Sequence, residues 1–292
     1  MKFDYFSPDE KNRLSVFASA ANTDRDSYYG PGNDPLKAYG KTTDLTAMGG
    51  AQYVHTFDKC FFMPSDLTAG LEYNRDRLKD NMWGYNRHTD QTVNIYSAFL
   101  QNEWKNDRWG ILIGGRLDKH NMVDNVIFSP RANLRFNPTQ NINLRLSYSS
   151  GFRAPQAFDE DMHIENVGGT VAMIERAKDL KEEKSQSFSA SADMYHRFGA
   201  FQTNLLIEGF YTRLTDVFVL GKPYDRGDGI LVKTRSNGPG AKVMGLTLEG
   251  KVAYLSILQI QAGLTLQRSR YDEPHKWHDD APAEKKLSLI HI

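Results

Sequence analysis

The residues with the most evident chemical potential lie in one acidic stretch near the middle of the chain, FDEDMHIE. Closely spaced carboxylates and an imidazole can bind a cation or orient a polar ligand, and an adjacent phenyl ring adds an apolar surface. A hydrated loop of ordinary charge is the alternative, and the sequence leaves both open. The candidate ligand-binding residues here are Phe158, Asp159, Glu160, Asp161, His163 and Glu165.

A second candidate segment runs from Tyr224 to Lys233 and offers Tyr224 and Arg226 as ligand contacts. The Arg226-Gly-Asp triplet has the form of an adhesion motif, but within a glycine-rich segment it is more typical of a turn. His275 and His278 are residue types that bind metals, yet they lie in a polar stretch that we interpret as a solvated loop. We therefore predict ligand contacts in the segment from Tyr224 to Lys233 and no metal site at the two histidines.

Other functional classes receive no support from the sequence. There is no GxSxG elbow, HExxH motif or phosphate-binding loop, so we predict neither an enzyme nor a bound cofactor. Lys plus Arg and Asp plus Glu each number 36, giving a formal charge of zero. Without a basic cluster, a nucleic-acid partner is not expected. The single cysteine rules out a disulfide framework.

The elements that must position these segments show a strict alternation of polar and apolar residues. In NINLRLSYS, which begins at Asn141, the apolar residues Ile142, Leu144, Leu146 and Tyr148 share one face and the polar residues share the other. Similar alternation recurs in about eleven segments, which predicts an all-β chain. No apolar run approaches the roughly 20 residues that a membrane-spanning helix needs.

The connections between these strands alternate in length. Tight turns are predicted at 105–108, 137–140 and 196–200, and long loops at 22–43, 74–91, 153–184 and 215–241. Short turns at one rim and long loops at the other are typical of an outer-membrane β-barrel, with aromatic girdles near the strand ends. We therefore expect an antiparallel transmembrane barrel whose apolar face meets lipid and whose Ser-, Asn- and Gln-rich face lines a lumen. The residues predicted to point outward are Ile142, Leu144, Leu146, Leu246, Leu248, Ile260, Ala262 and Leu264, and those predicted to point to the lumen are Asn143, Arg145, Ser147, Ser189, Gln261 and Thr265. The alternative is a soluble sandwich that buries Leu144 and Leu264 between two sheets.

One passage resembles a known family. FSPRANLRFNPTQNINLRLSYSSGFRAPQAFDE, at 128–160, is similar to the barrel of TonB-dependent outer-membrane receptors, in which this passage leads one hairpin into a long extracellular loop. LKEEKSQSFSASADMY and SNGPGAKVMGLTLEG fit the strands that follow in that family. The resemblance covers roughly residues 12–272, and FRAPQAFDEDMHI is similar to members from Bacteroidetes.

The resemblance implies active import of a scarce nutrient, such as a ferric siderophore, haem or cobalamin. Its implied partners are the TonB complex, outer-membrane lipid and a small metal chelate. In the family a 22-stranded barrel is closed by an N-terminal plug. We expect residues 1–292 to be a partial barrel of about eleven strands without the plug, with 279–292 as a non-native tail. A passive porin or adhesin barrel and an outer-membrane barrel enzyme are the alternatives.

Overall fold

The computed structural model describes residues 1–28, 39–83, 87–157, 165–167, 170–227, 231–275 and 284–288. Most strands of this part of the chain form one antiparallel sheet, whose two edges are the strands Lys2–Phe6 and Glu284–Ser288. The described part of the chain contains no helix that is long and apolar enough to cross a membrane. The thirteen strands are β1 (Lys2–Phe6), β2 (Asn12–Tyr28), β3 (Tyr39–Cys60), β4 (Met63–Met82), β5 (Arg87–Lys105), β6 (Trp109–His120), β7 (Ile127–Thr139), β8 (Ile142–Arg153), β11 (Glu183–Phe198), β12 (Phe201–Thr215), β16 (Ala241–Tyr254), β17 (Leu258–His275) and β18 (Glu284–Ser288).

A second sheet is formed by the segments between β8 and β11 and between β12 and β16. Its strands are β9 (Glu165–Val167), β10 (Thr170–Arg176), β13 (Phe218–Leu220), β14 (Tyr224–Asp225) and β15 (Leu231–Asn237). The spatial order is β13-β15-β10-β9, and β14 also pairs with β15. β10 and β15 run parallel, with Ala172 opposite Leu231 and Arg176 opposite Arg235. The sequence analysis expected two separate loops here.

The predicted division of side chains between the two faces of the large sheet is confirmed. One register row joins Leu134, Leu146, Ala190, Gly209 and Leu246 across five strands. Because side chains alternate along a strand, every residue predicted to point outward lies on the face of this row. Leu144 and Leu264 keep 37% and 39% of their surface exposed, which excludes the sandwich that would bury them. The confirmed set is Ile142, Leu144, Leu146, Leu246, Leu248, Ile260, Ala262 and Leu264.

The opposite face is polar, and its side chains bond across the strands. The hydroxyl groups of Ser147 and Ser189 lie 2.6 Å apart, and those of Thr247 and Thr265 lie 3.1 Å apart. Arg116 donates to Glu72 at 2.6 Å and to Asp118 at 2.8 Å. Such pairing satisfies polar groups along the wall of a lumen.

Aromatic side chains mark two levels on the outer face. Near the short turns, the ring centroid of Phe201 lies 5.0 Å from that of Tyr254, and Trp109 stacks on Phe136 at 4.2 Å. Tyr211 lies ten residues farther along the strand of Phe201. At about 3.3 Å per residue and a strand tilt near 40°, the two levels are roughly 25 Å apart, which is the height of an outer-membrane apolar belt.

The predicted alternation of connections is also found. The short turns comprise residues 7–11, 61–62, 106–108, 140–141, 199–200 and 255–257, all at one rim. The strands β2, β4, β6, β8, β12 and β17 end at the other rim, and the intervals from these ends to the next strand of the large sheet are 29–38, 83–86, 121–126, 154–182, 216–240 and 276–283.

Two of the expected long loops were placed wrongly, because most of 22–43 and 74–91 is strand. The apolar alternation stops where the apolar belt ends, but the backbone ladder continues into water with polar residues on both faces. There Thr42 donates to Asp80 at 2.7 Å, and Arg87 forms an ion pair with Asp80 at 2.8 Å. The estimate of about eleven strands was also too low, because β1 and β18 have only five residues each. β18 lies within the expected tail 279–292 and pairs with β17.

Candidate functional site

The small sheet is tied to the base of its two loops by one asparagine. Asn237 accepts from the backbone nitrogen of Lys181 at 2.8 Å, and its amide nitrogen donates to the carbonyl groups of Lys181 and Asp216 at 3.1 and 2.8 Å. Nearby, the guanidinium of Arg153 lies 5.5 Å above the ring of Phe218. The two long loops are therefore held together where they leave the barrel.

The loop between β8 and β11 docks on the inner face of β5, three strands away from β8. The Oε1 atom of the buried Gln91 accepts from the backbone nitrogen of Ala157 and from Nη1 of Arg176, both at 2.8 Å. Arg176 also donates to the carbonyl oxygen of Pro155 at 2.9 Å. This loop thus extends across the lumen from one part of the wall to another.

His120 supports this docking from the end of β6, above the apolar belt. The imidazole is fully buried, and burial lowers its pKa. Its Nδ1 atom accepts from the backbone nitrogen of Met122 at 3.0 Å, so Nε2 carries the proton and donates to Oε1 of Gln156 at 3.3 Å. A neutral histidine therefore holds the segment that follows β8.

Between the docked loops and β5 lies a cavity of about 610 Å³ at the long-loop rim, within the usual size of a small-ligand site. Arg226 forms an ion pair with Glu175 at 3.6 Å, while Lys178 is exposed. Among the described residues, and with Asp80 included as the ion-pair partner of Arg87, the charged groups comprise four positive and two negative charges. The cavity favours an anionic ligand. Its charged lining residues are Arg87, Glu175, Arg176, Lys178 and Arg226, and His88 adds an imidazole.

The sequence candidates fall into three groups in the structure. Arg226 lines the cavity, whereas Tyr224 lies in β14 and is 48% exposed. Glu165 begins β9 and pairs with Ala172 through the backbone, so both candidate segments contribute to the same small sheet. The turn expected at Arg226-Gly227 is confirmed, because Gly227 has a φ of 101° and its backbone nitrogen donates to Asp225 at 2.7 Å. Phe158, Asp159, Glu160, Asp161 and His163 lie outside the described residues.

Several cavity residues were missed by the sequence analysis. Arg87 and His88 fall in a segment that was predicted to be loop but belongs to β5. Arg176 and Lys178 lie in the predicted loop 153–184, where no motif distinguishes them. They lie opposite Arg87 only because the loop folds back onto β5. A contact between such distant segments cannot be predicted from the periodicity of the sequence. Among the described residues, no group of three or more His, Cys, Asp or Glu side chains could hold a metal.

Comparison with known proteins agrees with this architecture. The family model described as "TonB dependent receptor-like, beta-barrel" matches residues 2–288. The chain belongs to the TonB-dependent receptor family. As a TonB-dependent receptor barrel it resides in the bacterial outer membrane, with its short turns at the periplasmic rim and its long loops at the extracellular rim. No curated protein matches the sequence.

Solved structures of TonB-dependent receptors and transporters share the fold. The siderophore receptor PirA from Acinetobacter baumannii is 17% identical over 97% of this chain and 45% of its own, with a TM-score of 0.64. A variant of the ferric enterobactin receptor PfeA from Pseudomonas aeruginosa is 19% identical over 88% and 41%, with a TM-score of 0.65. The outer membrane transporter YddB from Escherichia coli is 12% identical over 93% and 41%, also with a TM-score of 0.65. This receptor barrel therefore spans less than half the length of these three proteins.

Proposed function

We propose that this barrel serves the energy-coupled import of a scarce nutrient, received as an anionic small molecule in the cavity under the small sheet. The observation that supports this proposal is the excess of positive charge among the described residues around that cavity, which lies at the rim where a ligand arrives from outside the cell. Guanidinium groups pair well with carboxylates and other planar anions. A ferric siderophore or haem has this chemistry, and two of the similar structures are siderophore receptors by their descriptions.

Energy coupling through TonB is the second half of the proposal. It is supported by membership of the TonB-dependent receptor family. Uptake should therefore stop when a protonophore collapses the inner-membrane proton gradient. Uptake that persists after such treatment would support the passive pore instead.

Binding can be measured directly on the full-length product of the gene. Tryptophan fluorescence titrations should show binding of an anionic ferric catecholate or of haem, and weaker binding of cyanocobalamin, which lacks their negative charge. Arg226→Gln and Lys178→Gln should each weaken that binding by about tenfold, the effect of losing one charge-assisted hydrogen bond. Arg197→Gln makes the same change near the periplasmic turn and should have no effect.

The acidic candidate segment has its own test. Deleting 158–165 should abolish nutrient uptake while the barrel still assembles, as judged by its heat-modifiable migration on gels. Uptake at the unmodified rate after the deletion would show that the segment is only a solvated connection. Equal binding by Arg226→Gln and the unmodified protein would remove the cavity from the proposal.

A further inference from the structure

The outer face of β11, β12, β16 and β17 carries a concentration of basic residues just above the apolar belt. The register places Arg213 opposite Lys242 and Lys242 opposite Arg270, so three cations on adjacent strands form one row. Arg268 lies one step below this row, opposite Met244, and Lys184 one step above it, opposite Thr215. We call these five residues the basic patch.

The charges of the basic patch are poorly compensated by the protein itself. Lys242 pairs with Asp272 at 2.7 Å, and Lys184 pairs with Glu182 at 3.1 Å. Arg213, Arg268 and Arg270 are exposed and form no ion pair with any residue that the structure describes. Like charges directly opposite one another on adjacent strands, about 5 Å apart, are destabilising. An external anion would relieve this repulsion.

An apolar groove on the same face begins below the basic patch at β11 and β12 and extends sideways as far as β6. One step below the row of cations, Tyr148 lies opposite Phe188 and Phe188 opposite Tyr211. The next row contains Ala190 and Gly209, whose small side chains leave a groove of about 790 Å³. Bulky neighbours border this groove, among them Ile113, Leu134 and Leu146.

We propose that this surface binds an anionic membrane lipid, with its acyl chains in the groove and its headgroup phosphates on the basic patch. The order from bottom to top is small apolar residues, aromatic rings and then cations, which is the order of chemistry along an acylated, phosphorylated lipid in the outer leaflet. Aromatic rings suit the boundary between hydrocarbon and headgroup. Three cations in a row match a headgroup that carries more than one negative charge.

The outer face of the neighbouring strands β2 to β5 shows that this patch is local. The outward-facing lysines there that lie farther toward the extracellular rim are paired with acids, Lys41 with Asp24 at 3.5 Å and Lys79 with Asp90 at 3.7 Å. Arg75 and Arg77 on β4 point outward just above Tyr73 and are exposed, and no charged residue lies opposite either of them on β3 or β5. They are therefore a control pair of arginines outside any row of cations.

The test is native mass spectrometry of the full-length product of the gene, titrated in detergent with lipid A, phosphatidylglycerol or phosphatidylcholine. Lipid A, with two phosphates, should bind most tightly and phosphatidylcholine least. Each cation near an anionic headgroup contributes about fivefold, so the double variant R213Q/R270Q should bind lipid A about 30-fold more weakly. The control R75Q/R77Q should bind it within twofold of the unmodified protein.

A second variant examines the groove without changing any charge. Gly209→Leu is sterically tolerable, because an added Cβ would have only a backbone oxygen at 4.0 Å, and its side chain would fill the groove. It should weaken binding of lipid A and leave heat-modifiable migration unchanged. Equal losses in R213Q/R270Q and R75Q/R77Q would overturn the proposal in favour of general charge attraction. Unchanged binding by R213Q/R270Q would overturn it as well.

Discussion

Replacing Leu144 by arginine should destabilise the barrel by about 1–3 kcal/mol, between the cost of a cation at the interface and that at the bilayer midplane of an outer-membrane barrel. The register places Leu144 opposite Ala192, which lies opposite Ile207. Ile207 lies six residues above Phe201 and four below Tyr211, the residues that mark the two aromatic levels. On its other side Leu144 lies opposite Phe136, a residue of the lower aromatic level. Leu144 therefore lies in the periplasmic half of the apolar belt, where the cost of a charge is between those at the interface and at the midplane.

Two arginine substitutions on the same strand serve as controls. Ser150→Arg points outward like Leu144 but lies above the aromatic level, where the expected cost is about 0–1 kcal/mol. Ser147→Arg points into the lumen and loses only the hydroxyl contact with Ser189, about 0.5–1.5 kcal/mol. The free energy of unfolding would be measured by denaturant titration of the full-length product of the gene in lipid vesicles. A Leu144→Arg cost no larger than that of Ser150→Arg would refute the assignment of this face to lipid.

Packing inside the wall and the pH dependence of stability can be tested in the same assay. Gly70→Ala should lower the free energy of unfolding by about 1–3 kcal/mol, because the new Cβ would overlap the ring of Phe99. Gly250→Ala is the control and should be neutral, because no atom lies within 4 Å of the new Cβ. Equal effects of the two substitutions would contradict this packing. Burial and the nearby Asp44 carboxylate raise the pKa of Asp76, above the apolar belt, from 3.8 to about 6. The folded state binds this proton more tightly, so stability should rise as the pH falls from about 6 to 3.8, and Asp76→Asn should remove that rise. If stability rises by the same amount in the unmodified protein and in Asp76→Asn, the rise belongs to other titratable groups.

The wall of the barrel could be predicted from the sequence because the direction of each side chain depends only on its position along its own strand. A strand with lipid on one side and water on the other must alternate, so Leu144 and Ser147 are assigned to opposite faces by their spacing alone. The same rule failed at Arg87, where both faces meet water and the alternation disappears although the strand continues. Sequence patterns of this kind report the solvent around a strand, and only indirectly the strand itself.

The candidate site could be predicted only in part, because its geometry depends on contacts between distant segments. Arg226 was selected for its residue type and its glycine-rich surroundings, and it lines the cavity. Arg176 joins it only through the parallel pairing of β10 with β15 and through Gln91, which lies 85 residues earlier in the chain. Neither the pairing nor the bond to Gln91 leaves a periodic trace in the sequence.

The parallel pairing of β10 with β15 has a consequence for the construction of chimeric receptors. Each long loop completes the hydrogen bonding of the other, and Asn237 on one loop bonds to Lys181 on the other. Exchange of 154–182 alone would leave β15 with an unmatched edge, and exchange of 216–240 alone would do the same to β10. A transplant of ligand specificity must therefore move both segments together, while the β11–β12 hairpin between them stays in place.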